Sequence, residues 1–295
     1  MFAVQFLFES NKIYCFCGLF LLLNAMQMEK RMDVIKESTA LLSDPLGRNV
    51  LVDVYLPVHF DHPHHLSLLL INDGQDLVAM AFQKILGELY HHKLLSPLVV
   101  VGIHCGEDRK NEYGMISSPD FKGRGSKAGL YQRFVFEELL PHIYSAYKQF
   151  TFKETAFAGF SLGGLSALDL AWNNHQVFSK TGVFSGSLWW RSKSKTDKDF
   201  HEATDRLMHQ QIRNSTIKPH IKFFFQCGEL DESEDRNNNG VIDSIDDTVD
   251  LMRELLAKGY KEGTDFHYLQ LRDGKHDVPT WARSLPDFLK WGWGK

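Results

Sequence analysis

The chain has 295 residues, 43% hydrophobic and 24% charged, the balance of a globular protein and neither a disordered nor a fibrous one. Its net charge of −4 and pI near 6.4 give no basic footprint, which excludes nucleic acid as an expected partner. The length fits one large α/β domain or two small ones. No internal repeat and no Pro-, Gly- or Ser-rich linker divides it, so residues 32–295 read as one domain behind an N-terminal extension, residues 1–31.

That extension holds one apolar run, Ile13 to Leu23, too short to span a membrane comfortably. Its positive n-region is poor and no clean small-x-small cleavage site follows. It reads as a non-domain extension, with export through a weak signal as the alternative. Met26, Met28 and Met32 offer later starts. The four cysteines, Cys15, Cys17, Cys105 and Cys227, form no C-x-x-C pair. Cys105 and Cys227 follow apolar runs and read as small buried hydrophobes. This usage leans towards a reducing compartment and a cytoplasmic protein.

Strands and helices then alternate. Val50–Leu56 alternates and stops at Pro57, which predicts a strand. Leu66–Asn72 is a continuous apolar run, as in a strand buried on both faces. Residues 77–91 have helical spacing, 97–104 read as a second buried strand, and 106–125 as a polar loop. A helix is predicted within 130–147, kinked at Pro141. A short strand through Thr155–Ala158 leads into a turn and a helix to Asn173. Beyond it come a strand at 177–185, a solvated loop at 191–199 and a helix at 200–213. A strand at 221–227 and a helix at 246–258 closed by Gly259 follow. A strand at 266–271 and a helix at 278–291 end the chain. This alternation predicts a mainly parallel sheet with helices on both faces.

In such sheets function gathers at the carboxyl ends of strands, and four ends carry suggestive residues. Gly159-Phe160-Ser161-Leu162-Gly163 fits G-x-S-x-G, a strand-to-helix turn that lifts a serine oxygen and leaves no room for side chains beside it. The helix N-terminus that follows would aim its free N–H groups at that oxygen, Leu162 first. Asp231 follows the 221–227 strand, with Glu229 and Glu232 competing for its role. His276 follows the 266–271 strand, with His267 as a rival inside a strand pattern. The order Ser161, Asp231, His276 is that of a Ser-Asp-His set on this kind of sheet. The fourth end, Asn72-Asp73-Gly74-Gln75-Asp76, lies where a second oxyanion donor originates: the N–H of Gln75, with Asp76 next. The other twelve histidines, including His62, His64 and His65, read as surface residues.

The chain resembles the putative esterase branch of the α/β-hydrolases, the group of esterase D, feruloyl and enterochelin esterases and the mycolyltransferases. The matching pieces are Asp73-Gly74-Gln75-Asp76, Gly102-Ile103 with Glu107-Asp108-Arg109 and Glu112-Tyr113, Gly159-Phe160-Ser161-Leu162-Gly163-Gly164, Cys227-Gly228-Glu229-Leu230-Asp231, and Gly274-Lys275-His276-Asp277 with Trp281. They span roughly residues 33 to 293. The resemblance implies the α/β-hydrolase fold and a serine esterase, with Ser161 as nucleophile, Asp231 as orienting acid and His276 as base. It implies a structural pair of Arg109 with Glu112. Asn72-Asp73-Gly74-Gln75 departs from the commoner His-Gly oxyanion loop of that group.

Asp235 to Asp246 follows the EF-hand rule, with oxygen side chains at positions 1, 3, 5, 9 and 12 and glycine at 6. Asp235, Asn237, Asn239, the Val241 carbonyl and Asp246 would hold a structural calcium, and Asp246 in place of the usual Glu would weaken it. A capped polar turn is the alternative. No other cofactor is expected. Asp76, Trp189 and Trp190 are candidate substrate contacts; Trp281 reads as structural. The expected partner is a small ester, with no membrane span. Two further functions stay open: an acyltransferase of the same fold, and a non-catalytic binding protein. A calcium sensor is weakened by its single loop.

Overall fold

A computed structural model describes residues 34–58 and 65–295. The extension of residues 1–31, with Cys15 and Cys17, lies outside the described residues, as do His62 and His64. Eight strands form one sheet: β1 (Val34–Ser43), β2 (Arg48–Pro57), β3 (Leu66–Asn72), β4 (Leu98–Ile103), β5 (Phe152–Phe160), β6 (Phe178–Phe184), β7 (Lys222–Leu230) and β8 (Phe266–Lys275). Their order is β1-β2-β4-β3-β5-β6-β7-β8. β2 pairs antiparallel with both β1 and β4, and every other pair is parallel. This is the α/β-hydrolase fold.

The seven residues of β3 are all buried. Leu68 and Leu70 enter the core on one face, Leu69 and Ile71 the core on the other. A fully buried leucine contributes about 2 kcal/mol, and an alternation of two apolar faces can be satisfied only inside a covered sheet. Helices α1 (Phe82–His91) and, at the chain end, Val278–Trp293 cover one face, through Phe82, Leu86, Leu285 and Phe288. The other face is covered by α2 (Ala128–Arg133), α3 (Leu140–Ala146), α4 (Leu162–Asn173), α5 (Leu207–Asn214) and α6 (Asp243–Ala257). The last helix is α7 (Val278–Trp293).

Several boundaries differ from expectation. β1 has no counterpart among the predicted strands: it is an edge strand with Ile35 50% and Leu42 71% exposed, so it lacks a buried apolar pattern. The predicted 77–91 helix is two pieces, Asp76–Ala79 and α1, parted at Ala81, whose φ is +53°. Residues 106–125 contain a one-turn helix, Arg109–Glu112. The helix before β5 loosens ahead of Pro141, in a π-helical stretch, Phe134–Leu139. Pro141 has no N–H to return to residue 137. The 200–213 helix breaks at Arg206, extended at ψ 106°. β7 and β8 run three and four residues past their predicted ends, to Leu230 and Lys275. His209 is no surface residue: it is buried, its Nε2 2.8 Å from the Asp247 carbonyl. No described helix is long and apolar enough to cross a membrane.

Candidate active site

Ser161, Asp231 and His276 each stand one residue past a strand end, on β5, β7 and β8. Leu230 pairs with Lys275 in the β7–β8 register, so Asp231 and His276 leave adjacent strands side by side. Gly228 and Gly274 pack backbone to backbone there, and a Cβ on Gly228 would overlap the Gly274 carbonyl.

Ser161 has φ +54° and ψ −121°, a strained conformation that costs on the order of 1–3 kcal/mol. Its surroundings hold it in place. Its N–H donates to the Phe184 carbonyl at 2.8 Å, and its carbonyl accepts the N–H groups of Gly164, Leu165 and Ser187 at 3.1, 3.2 and 3.0 Å. A Cβ on Gly159 would overlap the Gly163 carbonyl, and one on Gly163 would stand 2.6 Å from Asp73 Oδ2. The second glycine is therefore demanded by the neighbouring loop as well as by the turn.

That loop, after β3, is fixed by buried polar contacts. Asn72 Nδ2 donates to the Gly163 carbonyl at 2.8 Å, and Tyr131 donates its hydroxyl to Asn72 Oδ1. Asp73, itself at φ +60°, accepts two bonds from Arg109, from Nε at 2.7 Å and a terminal nitrogen at 2.6 Å. Gly74 donates to the Ile103 carbonyl at 2.8 Å and lies against Gly102. Among the described residues no hydrogen bond within the protein engages the N–H of Leu162 or Gln75. The N–H of Asp76 is committed to the Asp73 carbonyl at 3.0 Å, so the second of the two expected loop donors is taken.

The implied Arg109–Glu112 pair does not form. Arg109 holds Asp73, while Glu112 is held by Arg48 at 2.6–2.7 Å. Both carboxylates are 2% exposed, and each is satisfied by two bonds from one guanidinium, Asp73 by Arg109 and Glu112 by Arg48. The Asp73 partner was not read from sequence, because its cation lies 36 residues away on a loop with no periodicity.

Asp231 Oδ2 accepts the Gly228 N–H at 3.0 Å, and Oδ1 is buried without a hydrogen-bond partner. Burial raises the Asp231 pKa, against the Gly228 bond, Ser185 and His276. The His276 side chain reaches the surface, yet the protein packed round its ring desolvates it. That desolvation, outweighing the charge of Asp231 and reinforced by Arg109, holds its pKa below the ordinary imidazole value. Of the rival acids, Glu229 is engaged by Gln270 at 2.9 Å, and neither it nor Glu232 is among the charges acting on His276. His267 stacks on Phe224 within β8.

Trp190 is fully buried, its Nε1 donating to the Ser118 carbonyl at 3.2 Å. It packs against Gly114 and Gly125 and has no surface to offer a substrate. Trp189 is half-buried beneath Arg124, 4.6 Å from ring centre to guanidinium. Asp76 is half-buried, with its pKa raised by burial and then by Asp73. Two cavities, of about 620 and 490 Å³, lie elsewhere, and neither is lined by Ser161, Asp231 or His276.

The Asp235–Asp246 loop follows β7, not a helix. Asp235 accepts the N–H groups of Asn239 and Gly240 at 3.1 and 2.8 Å, Asn237 that of Asn239 at 3.1 Å, and Asn239 that of Val241 at 2.8 Å. The Asn237 and Asn239 amides donate to Asp246 Oδ2 at 2.8 and 2.9 Å. Asp243, at the ninth position, turns to the Arg236 N–H instead. Among the described residues no group of three or more His, Cys, Asp or Glu side chains is placed to hold a metal.

The mainly parallel eight-stranded sheet, with helices on both faces and a strained serine between β5 and α4, is the architecture of the α/β-hydrolase class. The family model described as "Putative esterase" matches residues 43–291, and the chain belongs to that family. Among solved structures it is similar to the enterobactin esterase FES from Shigella flexneri (TM-score 0.67, 19% identity, covering 87% of this chain and 58% of that one). A ferulic acid esterase matches at TM-score 0.63 and 16% identity, over 88% of this chain and 97% of its own. Siderophore hydrolase EstB from Aspergillus nidulans matches at 0.60 and 18%, over 86% and 95%. The chain thus spans about 58% of the length of the enterobactin esterase. No curated protein sequence matches.

Proposed function

We propose that the chain hydrolyses carboxylic esters through an acyl-enzyme, with Ser161, Asp231 and His276 as the triad. The observation that carries this is the buried, unpartnered Asp231 Oδ1 at the strand end next to that of His276, on the same sheet edge as a serine in strained conformation. A buried carboxylate oxygen without a donor is costly, and an imidazole N–H is the donor the triad supplies. His276 then presents its other nitrogen to Ser161, takes the hydroxyl proton and passes it to the leaving alcohol. The N–H groups of Leu162 and Gln75 receive the oxyanion, and water clears the acyl group. An acyltransferase would differ only in that last acceptor. The names of the similar structures carry a ferulic acid and, in a related complex, a dihydroxybenzoyl group. Aromatic acid esters therefore come first in a substrate panel, beside short acyl esters.

A fluorophosphonate probe tests the reading. It should label the parent protein and leave Ser161→Ala and His276→Ala unlabelled. No labelling of the folded parent would overturn it and favour a binding protein.

Calcium at the Asp235–Asp246 loop belongs to the same proposal. The oxygens of Asp235, Asn237 and Asn239 accept backbone N–H groups of the loop, and a carbonyl or carboxylate oxygen keeps a second lone pair for an ion. Calcium should raise the thermal midpoint and EGTA reverse it. An unchanged midpoint and unchanged activity would remove the ion from the proposal.

A further inference from the structure

Ser185 is the residue after β6, buried, with φ +44°. A non-glycine residue in that region is strained, and here it stands at the strand end next to that of Ser161. Its N–H donates to the Gln226 carbonyl at 2.7 Å. Its hydroxyl oxygen accepts the Trp281 Nε1 proton at 3.0 Å, in a buried contact. An indole N–H can only donate, so the serine's own proton is directed away from Trp281. The Ser185 hydroxyl thus serves as the buried acceptor that anchors the indole.

Trp281 also touches the surroundings of His276 and Ser161. Its ring meets His276 edge to face, centroids 5.3 Å apart at 79°. It also stacks on Phe160, the residue before Ser161, at 5.2 Å and 25°. It is 7% exposed. One indole thus packs on His276, packs behind Ser161 and is hydrogen-bonded to the strained Ser185.

We propose that Ser185 and Trp281 are a positioning pair: the Ser185 hydroxyl holds the Trp281 indole by its N–H, and the indole sets the plane of the His276 ring. The proposal rests on the triad reading above. Neither residue touches substrate, and neither exchanges a proton with it. Strain at Ser185 is retained because glycine, which would relieve it, has no hydroxyl.

The test separates hydroxyl from strain. Ser185→Gly and Ser185→Ala both remove the hydroxyl, and only glycine relieves the backbone. Both should lower kcat about tenfold, as for one lost buried hydrogen bond, with KM unchanged. Trp281→Phe keeps an aromatic face and loses the N–H, so it should lower kcat to a similar extent. The double variant Ser185→Gly with Trp281→Phe should be no slower than the worse single variant, because both act through one chain of contacts. Full activity in Ser185→Gly, or multiplicative losses in the double variant, would overturn the pair. A loss confined to Ser185→Ala, and recovered by glycine, would also overturn it, since strain alone would then explain the residue. Fluorophosphonate labelling of the parent and of Ser161→Ala is run alongside. If Ser161→Ala still labels, the triad reading fails; if it does not and Ser185→Gly is fully active, only the positioning pair fails.

Discussion

The two halves of the sheet edge are built differently. On the Ser161 side, the loops after β3 and β5 are locked to each other by Asn72 on Gly163, by Arg109 on Asp73, and by glycines with no room for a Cβ. On the His276 side, the ends of β7 and β8 touch through Gly228 and Gly274, but Asp231 keeps a bare oxygen and His276 reaches the surface. The difference teaches where preorganisation matters. On the proposed reading the loop after β3 carries an oxyanion donor, which must be aimed before charge develops; the proposed base, His276, is oriented instead by side chains packed on it, Trp281 among them.

The comparison can be broken hardest at the chemistry itself. Ser161→Ala and His276→Ala should each lower kcat for an aryl ester by about 10⁴-fold or more, measured by product release. Their folded stability should stay near that of the parent. Next comes the lock on the rigid side. Arg109→Leu leaves the Asp73 carboxylate buried and unpaired and should cost about 3 kcal/mol in urea unfolding. Lys36→Ala, at an ion pair with Asp53 on the opposite side of β4, should cost less than about 1 kcal/mol. Equal losses would mean that the rigid loop is not specially held. Gly163→Ala should sit between: its Cβ would press on Asp73, lowering kcat more than KM changes.

The adjustable side is sharpened by pH. Because desolvation lowers the His276 pKa, the acid limb of kcat/KM should fall below the ordinary imidazole value of about 6.5, where the base stays neutral. A limb above that value would contradict the site's electrostatics. The last effect is on stability alone. His209 is buried and its pKa is pushed down to about 3, against about 6.5 when unfolded. Protonation therefore favours the unfolded chain. The contribution is present above about pH 6.5 and is lost as pH falls towards 3. His209→Gln should flatten that slope in unfolding midpoints across this range.

Much of this was legible in the sequence because strand ends and glycine pairs leave local marks. LSLLLIN announces β3, and G-x-S-x-G announces Ser161. The unread parts are those set by distant partners. β1 carries little apolar alternation because one of its edges faces solvent. Ala81 breaks a helix whose apolar spacing is continuous. Trp190 reads as a pocket residue and is core, because the glycines that admit it, Gly114 and Gly125, come from a loop some seventy residues earlier. Arg109 needed Asp73 beside it before its role could be seen.

The opposite edge of the sheet, where β5, β6 and β7 begin, presents Lys153, Lys218 and Lys222 to solvent. A protein anchored to a bead or electrode through those amines would stand with its strand ends outward. Immobilisation by that edge would leave every proposed reacting group facing the solution, so esters on polymers or surfaces could be offered to it without the support intervening.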